Sequence, residues 1–221
     1  MKKLIFLSAA MLLMMAMTGC KNNSNNNADG KCHIVGTISK DYDGIRVFLV
    51  PLTGPQTAKE VDSIEIKDGK FEFYPDSLML AKILLDYHYR VKLQTLLVIT
   101  EPGTVEVTID SISHGKGTPQ NDSLEKWKNI SAEYNTKMGN IRREMMMLKE
   151  RGVKVENSEL KANYDSLLMA FKTITRNMAK EVKEEPLHSF LDERFPLTYK
   201  RQMPDGRTVT MNADTNEEIS K

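Results

Sequence analysis

From residue 31 to residue 117 the apolar positions recur every second residue. Cys32, Ile34, Gly36 and Ile38 alternate with His33, Val35 and Thr37. Ile45, Val47 and Leu49 repeat the pattern, as do Val105, Val107 and Ile109 against Thr104, Glu106, Thr108 and Asp110. Such alternation puts one face of a strand on a core and the other toward water. Asp68-Gly69 separates Ile64-Glu65-Ile66-Lys67 from Lys70-Phe71-Glu72-Phe73. Asp-Gly supplies the positive φ angles of a two-residue turn. The spacing therefore predicts a hairpin with Ile66 opposite Phe71 and Ile64 opposite Phe73, all on one face. Leu80–Asp86 and Thr95–Thr100 read as further strands, and Glu101-Pro102-Gly103 as a turn feeding the last one. About seven short strands with frequent turn signals predict a small antiparallel β-sandwich over residues 31–117.

The period changes at residue 118. Leu124, Trp127, Ser131, Tyr134, Met138, Ile141, Met145 and Leu148 are spaced alternately by three and four, a heptad seam. Ser131 is its polar member, and Ile130 beside it takes over the contact there. Two helix starts fit: a capping box of Asp122 with Glu125, or Pro119 after Thr118 one turn earlier. Gly152 suits the helix end. A second seam, Leu160, Tyr164, Leu167, Phe171, Ile174 and Met178, closes at Glu184-Glu185-Pro186. Two helices of similar length with a short link predict an antiparallel hairpin over residues 118–195, with Leu187–Phe195 as a short third helix. The run Met145-Met146-Met147 reads as core and helix filler in preference to a soft metal or adaptable binding surface. Met203-Pro204-Asp205-Gly206 predicts a turn joining Leu197–Met203 to Arg207–Met211, and Asn212–Lys221 reads as a disordered tail. The fold class expected is α+β: an N-terminal antiparallel β-sandwich followed by a long antiparallel α-helical hairpin.

The start of the chain changes the picture of where this fold resides. Lys2 and Lys3 precede an uncharged run from Leu4 to Met17, then Met17-Thr18-Gly19-Cys20. That order matches a secretory signal over residues 1–19. The run is shorter than the roughly 20 apolar residues of a spanning helix. The four residues at the cut resemble a bacterial lipobox, which makes Cys20 the lipid acceptor; the alternative is an ordinary signal cut near Ala16 and a free Cys20. Residues 20–30 are Asn-rich and polar and read as a flexible tether. No acidic cluster follows Cys20, so an outer-membrane anchor with the domain facing the periplasm is the expectation. With two cysteines in the chain and Cys20 lipidated, no internal disulfide forms.

Composition narrows the chemistry. Apolar residues make up 40% and charged residues 28%, and the formal net charge is +1. That is ordinary for a globular protein and carries no nucleic-acid footprint. There is no Cys-x-x-Cys, Gly-x-Ser-x-Gly, P-loop or dinucleotide fingerprint. The histidines, His33, His88, His114 and His188, lack metal-ligand spacing. No catalytic residue, metal or cofactor is expected. Cys32 is flanked by Lys31 and His33, which would favour a thiolate, but strand neighbours point to the opposite face, so a buried small hydrophobe is expected. Asp-Ser followed by an apolar residue occurs at Asp62-Ser63-Ile64, Asp76-Ser77-Leu78, Asp110-Ser111-Ile112, Asp122-Ser123-Leu124 and Asp165-Ser166-Leu167. The pattern resembles an O-glycosylation acceptor of exported proteins in some Gram-negative anaerobes, which points to Ser63, Ser77 and Ser111. Asp-Ser also marks turns and caps. Tyr87 and Tyr89 flank His88 as a candidate aromatic ligand platform, against one core and one surface tyrosine.

Ile34-Val35-Gly36, Val61-Asp62-Ser63-Ile64, Asp68-Gly69-Lys70-Phe71-Glu72-Phe73, Glu101-Pro102-Gly103 and Gly117-Thr118-Pro119-Gln120-Asn121 occur in this order. The series resembles a domain of unknown function of Gram-negative envelope lipoproteins. That domain is often N-terminal to a thioredoxin-like (AhpC/TSA or TlpA-type) disulfide oxidoreductase domain, which is absent here. The resemblance implies no catalytic residue. The function expected is a non-catalytic, lipid-anchored envelope protein serving as an interaction or accessory module. A thioredoxin-like oxidoreductase is one candidate partner, and no nucleic acid is involved. The alternatives are a periplasmic glycan- or peptide-binding lipoprotein, and an enzyme built from scattered loops.

Overall fold

The computed structural model describes residues 30–54, 56–57, 61–86, 92–156 and 158–219 of the 221-residue chain. Strands come first: β1 (Cys32–Ile38), β2 (Arg46–Pro51), β3 (Asp62–Glu65), β4 (Lys70–Phe73), β5 (Leu80–Leu85), β6 (Leu96–Ile99), β7 (Gly103–Ile109) and β8 (His114–Lys116). They form two four-stranded sheets, ordered β4-β1-β7-β8 and β3-β2-β5-β6. The alternation read from the sequence is the burial pattern of these strands. In β7, Val105, Val107 and Ile109 are buried while Glu106 is exposed. Ile34, Phe73 and Val105 of the first sheet share one core with Val47, Leu49, Ile83 and Leu96 of the second. Gly36 takes an inward position in β1 opposite Phe71. A Cβ there would lie 2.0 Å from the Phe71 ring, so the absent side chain makes the space the ring fills.

Two expectations for the strands are corrected. The sheets are not wholly antiparallel, because β1 pairs with β7 in parallel, Ile34 beside Val105 and Gly36 beside Val107. Alternation fixes which face is buried but carries no direction, and the long excursion through β2 to β6 lets β7 return in the same sense as β1. The Asp68-Gly69 turn forms, with φ of 52° and 68°, and Lys67 and Lys70 exchange backbone hydrogen bonds of 3.0 Å. Its arms then part. Ile64 pairs with Val47 in β2 and Phe73 with Ile34 in β1, so neither Ile64 and Phe73 nor Ile66 and Phe71 are partners. Ile66 is buried but Ile64 is 38% exposed. The turn is a corner between two sheets. Gly69 N–H donates to the Asp43 carboxylate at 2.7 Å, and its C=O accepts from Ile38 N–H at 3.0 Å, which draws β4 onto the end of β1.

Helices follow: α1 (Pro119–Glu150), α2 (Glu159–Glu181) and α3 (Leu187–Asp192). Their apolar faces build a second core with Leu80 and Ile99 of the second sheet. Leu124, Trp127, Phe171, Met178, Leu187 and Leu191 fill it, and Ile130 packs against it where the seam holds Ser131. Trp127 is its hub. The indole lies 5.2 Å from the Phe190 ring and donates from Nε1 to Thr175 Oγ1 at 3.1 Å. Of the two starts, α1 uses Thr118-Pro119, and the Asp122–Glu125 capping box is not formed. Asp122 instead accepts from Gly117 N–H at 2.8 Å and Glu125 from Gly115 N–H at 3.1 Å. Gly152, at φ 78°, ends α1: its N–H donates to Lys149 C=O and Val153 N–H to Leu148 C=O. Ser158 caps α2 by accepting from Lys161 N–H.

The chain closes with β9 (Thr198–Gln202) and β10 (Thr208–Asn212), an antiparallel ladder around the expected turn. Residues 213–219, expected to be disordered, fold back instead. Ile219 N–H donates to Thr210 C=O and Asn212 N–H to Glu217 C=O, both at 2.8 Å. Asn212 Oδ1 starts the reversal by accepting from Asp214 and Thr215 N–H. Asp214 is then clasped by Arg176 and Lys172 of α2 at 2.6 and 3.1 Å. A polar composition hid this fixing by paired charges. Among the described residues, no helix is long and apolar enough to cross a membrane.

Candidate functional site

The polar residues that are buried concentrate where the sheets meet α1. Glu101, 8% exposed, sits in the turn before β7. Its Oε1 accepts from the N–H of Gln120 at 2.7 Å and of Asn121 at 3.1 Å. These are orphan donors of the first helical turn, and a carboxylate there also meets the positive end of the helix dipole. Asn121 faces the edge of β6 and pairs with both backbone groups of Ile99: Nδ2 donates to the C=O at 2.7 Å and Oδ1 accepts from the N–H at 2.9 Å. Gln120 reaches the other way, accepting from Leu187 N–H and donating to Glu185 C=O, each at 3.2 Å. Gly117 fits closely, since a Cβ on it would stand 2.6 Å from Thr104 C=O. The two segments Glu101-Pro102-Gly103 and Gly117 to Asn121 are thus partners. Their polar atoms join sheet, helix and α3. Among the described residues, no buried side-chain nitrogen or oxygen lacks a hydrogen-bond partner.

A second grouping lies on the outward face of the first sheet. His33 and Tyr74 stack, ring centroids 4.5 Å apart and planes 9° from parallel. Glu72 receives both, from Tyr74 Oη at 2.5 Å and His33 Nε2 at 2.9 Å. The Tyr74 hydroxyl, then His33, hold the Glu72 carboxyl below the usual range, and the same bond raises the Tyr74 phenol. Beside the stack runs a shallow groove of about 330 Å³, floored by Val35, Thr37, Thr104 and Thr108 and flanked by Glu106, His114 and Lys116. Thr37 and Thr108 hydroxyls stand 3.2 Å apart, and Lys116 pairs with Glu106 at 3.6 Å. The arrangement offers hydroxyls, one open aromatic ring and a Lys116–Glu106 charge pair. Strand alternation marks these residues as outward, but nothing local in the sequence announces that Tyr74 turns back onto His33.

The residues singled out from the sequence fall as follows. Cys20, Tyr87 and Tyr89 lie outside the described residues, as does His88. Ser63 is half-buried in β3, with its hydroxyl 2.7 Å from Arg46. Ser77 and Ser111 are exposed in turns, each followed by an exposed apolar residue, Leu78 at 52% and Ile112 at 74%. Asp110 Oδ1 accepts from Ile112 N–H at 2.7 Å, so this Asp-Ser also builds its turn. Cys32 is buried, and burial first, then the Glu101 charge, pushes its thiol up to about 12. It packs as a small hydrophobe and forms no thiolate at neutral pH. His188 Nδ1 contacts the C=O groups of Ala179 and Val182, capping α2. Met145 is half-buried, whereas Met146 and Met147 are 58% and 48% exposed, so two of the three are not core. Among the described residues, no three His, Cys, Asp or Glu side chains converge as metal ligands would.

Residues 32–124, from β1 to the opening of α1, match the family model described as Domain of unknown function (DUF4369). No curated protein matches the chain, and no solved structure does.

Proposed function

We propose, from the domain match and the N-terminal pattern, that this chain is a non-catalytic envelope lipoprotein working as an interaction module. Lipid on Cys20 holds it to the outer membrane, facing the periplasm. The two sheets are read as a β-sandwich, with α1 and α2 as an antiparallel helical hairpin standing on it. The observation that carries the reading is the far half of that pair. No side chain is buried after Met138 in α1 or before Phe171 in α2, yet α1 continues to Glu150. At 1.5 Å per residue, that leaves about 18 Å of helix beyond the core. Arg142 and Tyr164 bond across the pair at 2.7 Å, and Met146 and Met147 face outward. An ordered arm of this kind suits contact with another protein. The family resemblance makes a thioredoxin-like oxidoreductase one candidate partner. Ser77 and Ser111, and less openly Ser63, are offered as O-glycosylation acceptors. The test is in-cell crosslinking and pull-down from the native envelope, with Cys20→Ala as control. One dominant protein partner that depends on the lipid supports the module; no protein above background sinks it.

The His33–Tyr74 stack favours a second reading, a periplasmic glycan- or peptide-binding lipoprotein. Stacked rings beside a hydroxyl-lined groove suit sugar faces and peptide side chains. Tyr87 and Tyr89 remain the platform proposed from sequence. Glycan and peptide screens repeated on Tyr74→Ala decide it: loss of a ligand with the fold intact supports the reading, and unchanged binding removes this face from it.

A further inference from the structure

β9 is the outer strand of the C-terminal ladder, and all five of its residues are exposed. The register fixes where its backbone points. Met203 N–H donates to Arg207 C=O and Ala213 N–H to Leu197 C=O. Hydrogen-bonded pairs alternate along an antiparallel ladder, so Tyr199 and Arg201 also turn toward β10. Thr198, Lys200 and Gln202 therefore aim their N–H and C=O groups away from it. None of these groups has a backbone partner among the described residues. The opposite edge is closed by the chain itself, where Glu217 and Ile219 bond Asn212 and Thr210. One edge of this small sheet is paired and the other is open.

The open edge is cationic. Lys200 and Arg201 point to opposite faces of β9, and neither meets a carboxylate among the described residues. We infer that this edge takes up an acidic, extended segment of a partner protein as an added strand. The inference rests on the interaction-module reading and supplies a site for it. A second copy of this chain fits poorly. The antiparallel register that uses the whole strand sets Lys200 directly opposite Lys200 of the other copy, and like charges so placed repel. A lysine on an edge strand works against self-pairing in this way. A carboxylate in the incoming strand turns the same position into an attraction. Main-chain bonds to Thr198, Lys200 and Gln202 give the hold, and the two cations choose the sign of the partner.

Amide hydrogen exchange on the full chain tests this, using a short peptide alternating valine with glutamate and its valine–lysine counterpart. In the free chain the Thr198, Lys200 and Gln202 amides exchange fast. With the acidic peptide they slow by about tenfold or more, which corresponds to about 1.4 kcal/mol. The lysine peptide leaves them unchanged, and Lys200→Glu with Arg201→Glu reverses the preference. Amides already protected in the free chain, no slowing with the acidic peptide, or equal slowing by both peptides overturns the inference. Trp127 emission confirms that the double variant keeps its fold. The same variant in the envelope pull-down separates the two claims: a partner captured equally by parent and variant leaves the module reading standing and removes the β9 edge from it.

Discussion

Replacing Glu101 tests whether the joint between sheets and helices is held by a carboxylate. Glu101→Ala strands the Gln120 and Asn121 N–H groups in a buried setting, where Oε1 now accepts from them at 2.7 and 3.1 Å. Leaving a buried donor unsatisfied costs about 1–3 kcal/mol, and part of this is recovered where water enters the space left by the side chain. The expected loss is about 3 kcal/mol, which for a domain of this size lowers Tm by about 6–12 °C. Glu101→Gln keeps an acceptor oxygen but loses the charge at the helix N-terminus, so about 1 kcal/mol is expected. Urea unfolding followed by far-UV circular dichroism gives both values, with m unchanged. The chain has one tryptophan, so Trp127 emission reports the helical layer in the same titration. Glu106→Ala is the control. That carboxylate is exposed and, among the described residues, pairs with Lys116, and its removal shifts stability by less than about 0.5 kcal/mol. A Glu101→Ala protein within about 0.5 kcal/mol of the parent would refute the reasoning, because the two donors must then find other partners at little cost.

Thr175→Val leaves the Trp127 indole N–H without its acceptor; a loss of about 1–2 kcal/mol is expected in the same unfolding assay. Gly36→Ala forces a Cβ into the Phe71 ring, and an overpacking cost of about 1–3 kcal/mol is expected, relieved by adding Phe71→Leu. The Asp214 carboxyl is held down to about 2, first by Arg176 and then by Lys172. A depressed carboxylate contributes stability above its unfolded value near 3.9, a contribution lost as pH falls toward 2. Asp214→Asn should therefore lower stability at neutral pH and flatten the acid limb of the stability curve; an unchanged acid limb would show the clasp to be idle.

Much of the fold was legible because burial on one face leaves a period in the sequence. Strand alternation and the two seams gave the strands, the helices and most of both cores. What the period does not carry is direction and sheet membership. The Asp68-Gly69 dipeptide is the same whether its arms stay paired or part, and the distant partners of each arm decide, Asp43 and β1 on one side and Ile45 and β2 on the other. Of the two starts of α1 that the sequence left open, the local capping box did not form for a related reason. The acceptor that α1 uses, Glu101, comes from another segment, while the local Asp122 and Glu125 serve the backbone of Gly117 and Gly115. The tail looked disordered because Asp214 is held by two cations of α2, Lys172 and Arg176, about 40 positions earlier in sequence. On the candidate surfaces, the outward positions of His33 and Glu72 followed from alternation, but the stacking of Tyr74 and the open edge of β9 depend on pairings that no short window contains.

The parallel pairing of β1 with β7 sets an order of events as the chain folds. Thr37 and Thr108 touch across 71 positions of sequence, so the first sheet holds contacts of long range. Closing so long a loop costs entropy before any contact repays it, and folds rich in such contacts form slowly. β1 emerges early in synthesis and has no parallel neighbour until residue 109 exists, whereas β2 finds β3 and β5 within a short stretch. The second sheet and the α1–α2 pair are thus the natural early structures. β1 can pair with β4 about as early as β2 pairs with β5, but its other edge waits for β7. Until then that edge is an unpaired apolar strand edge, a part of the nascent protein in need of shelter from its neighbours.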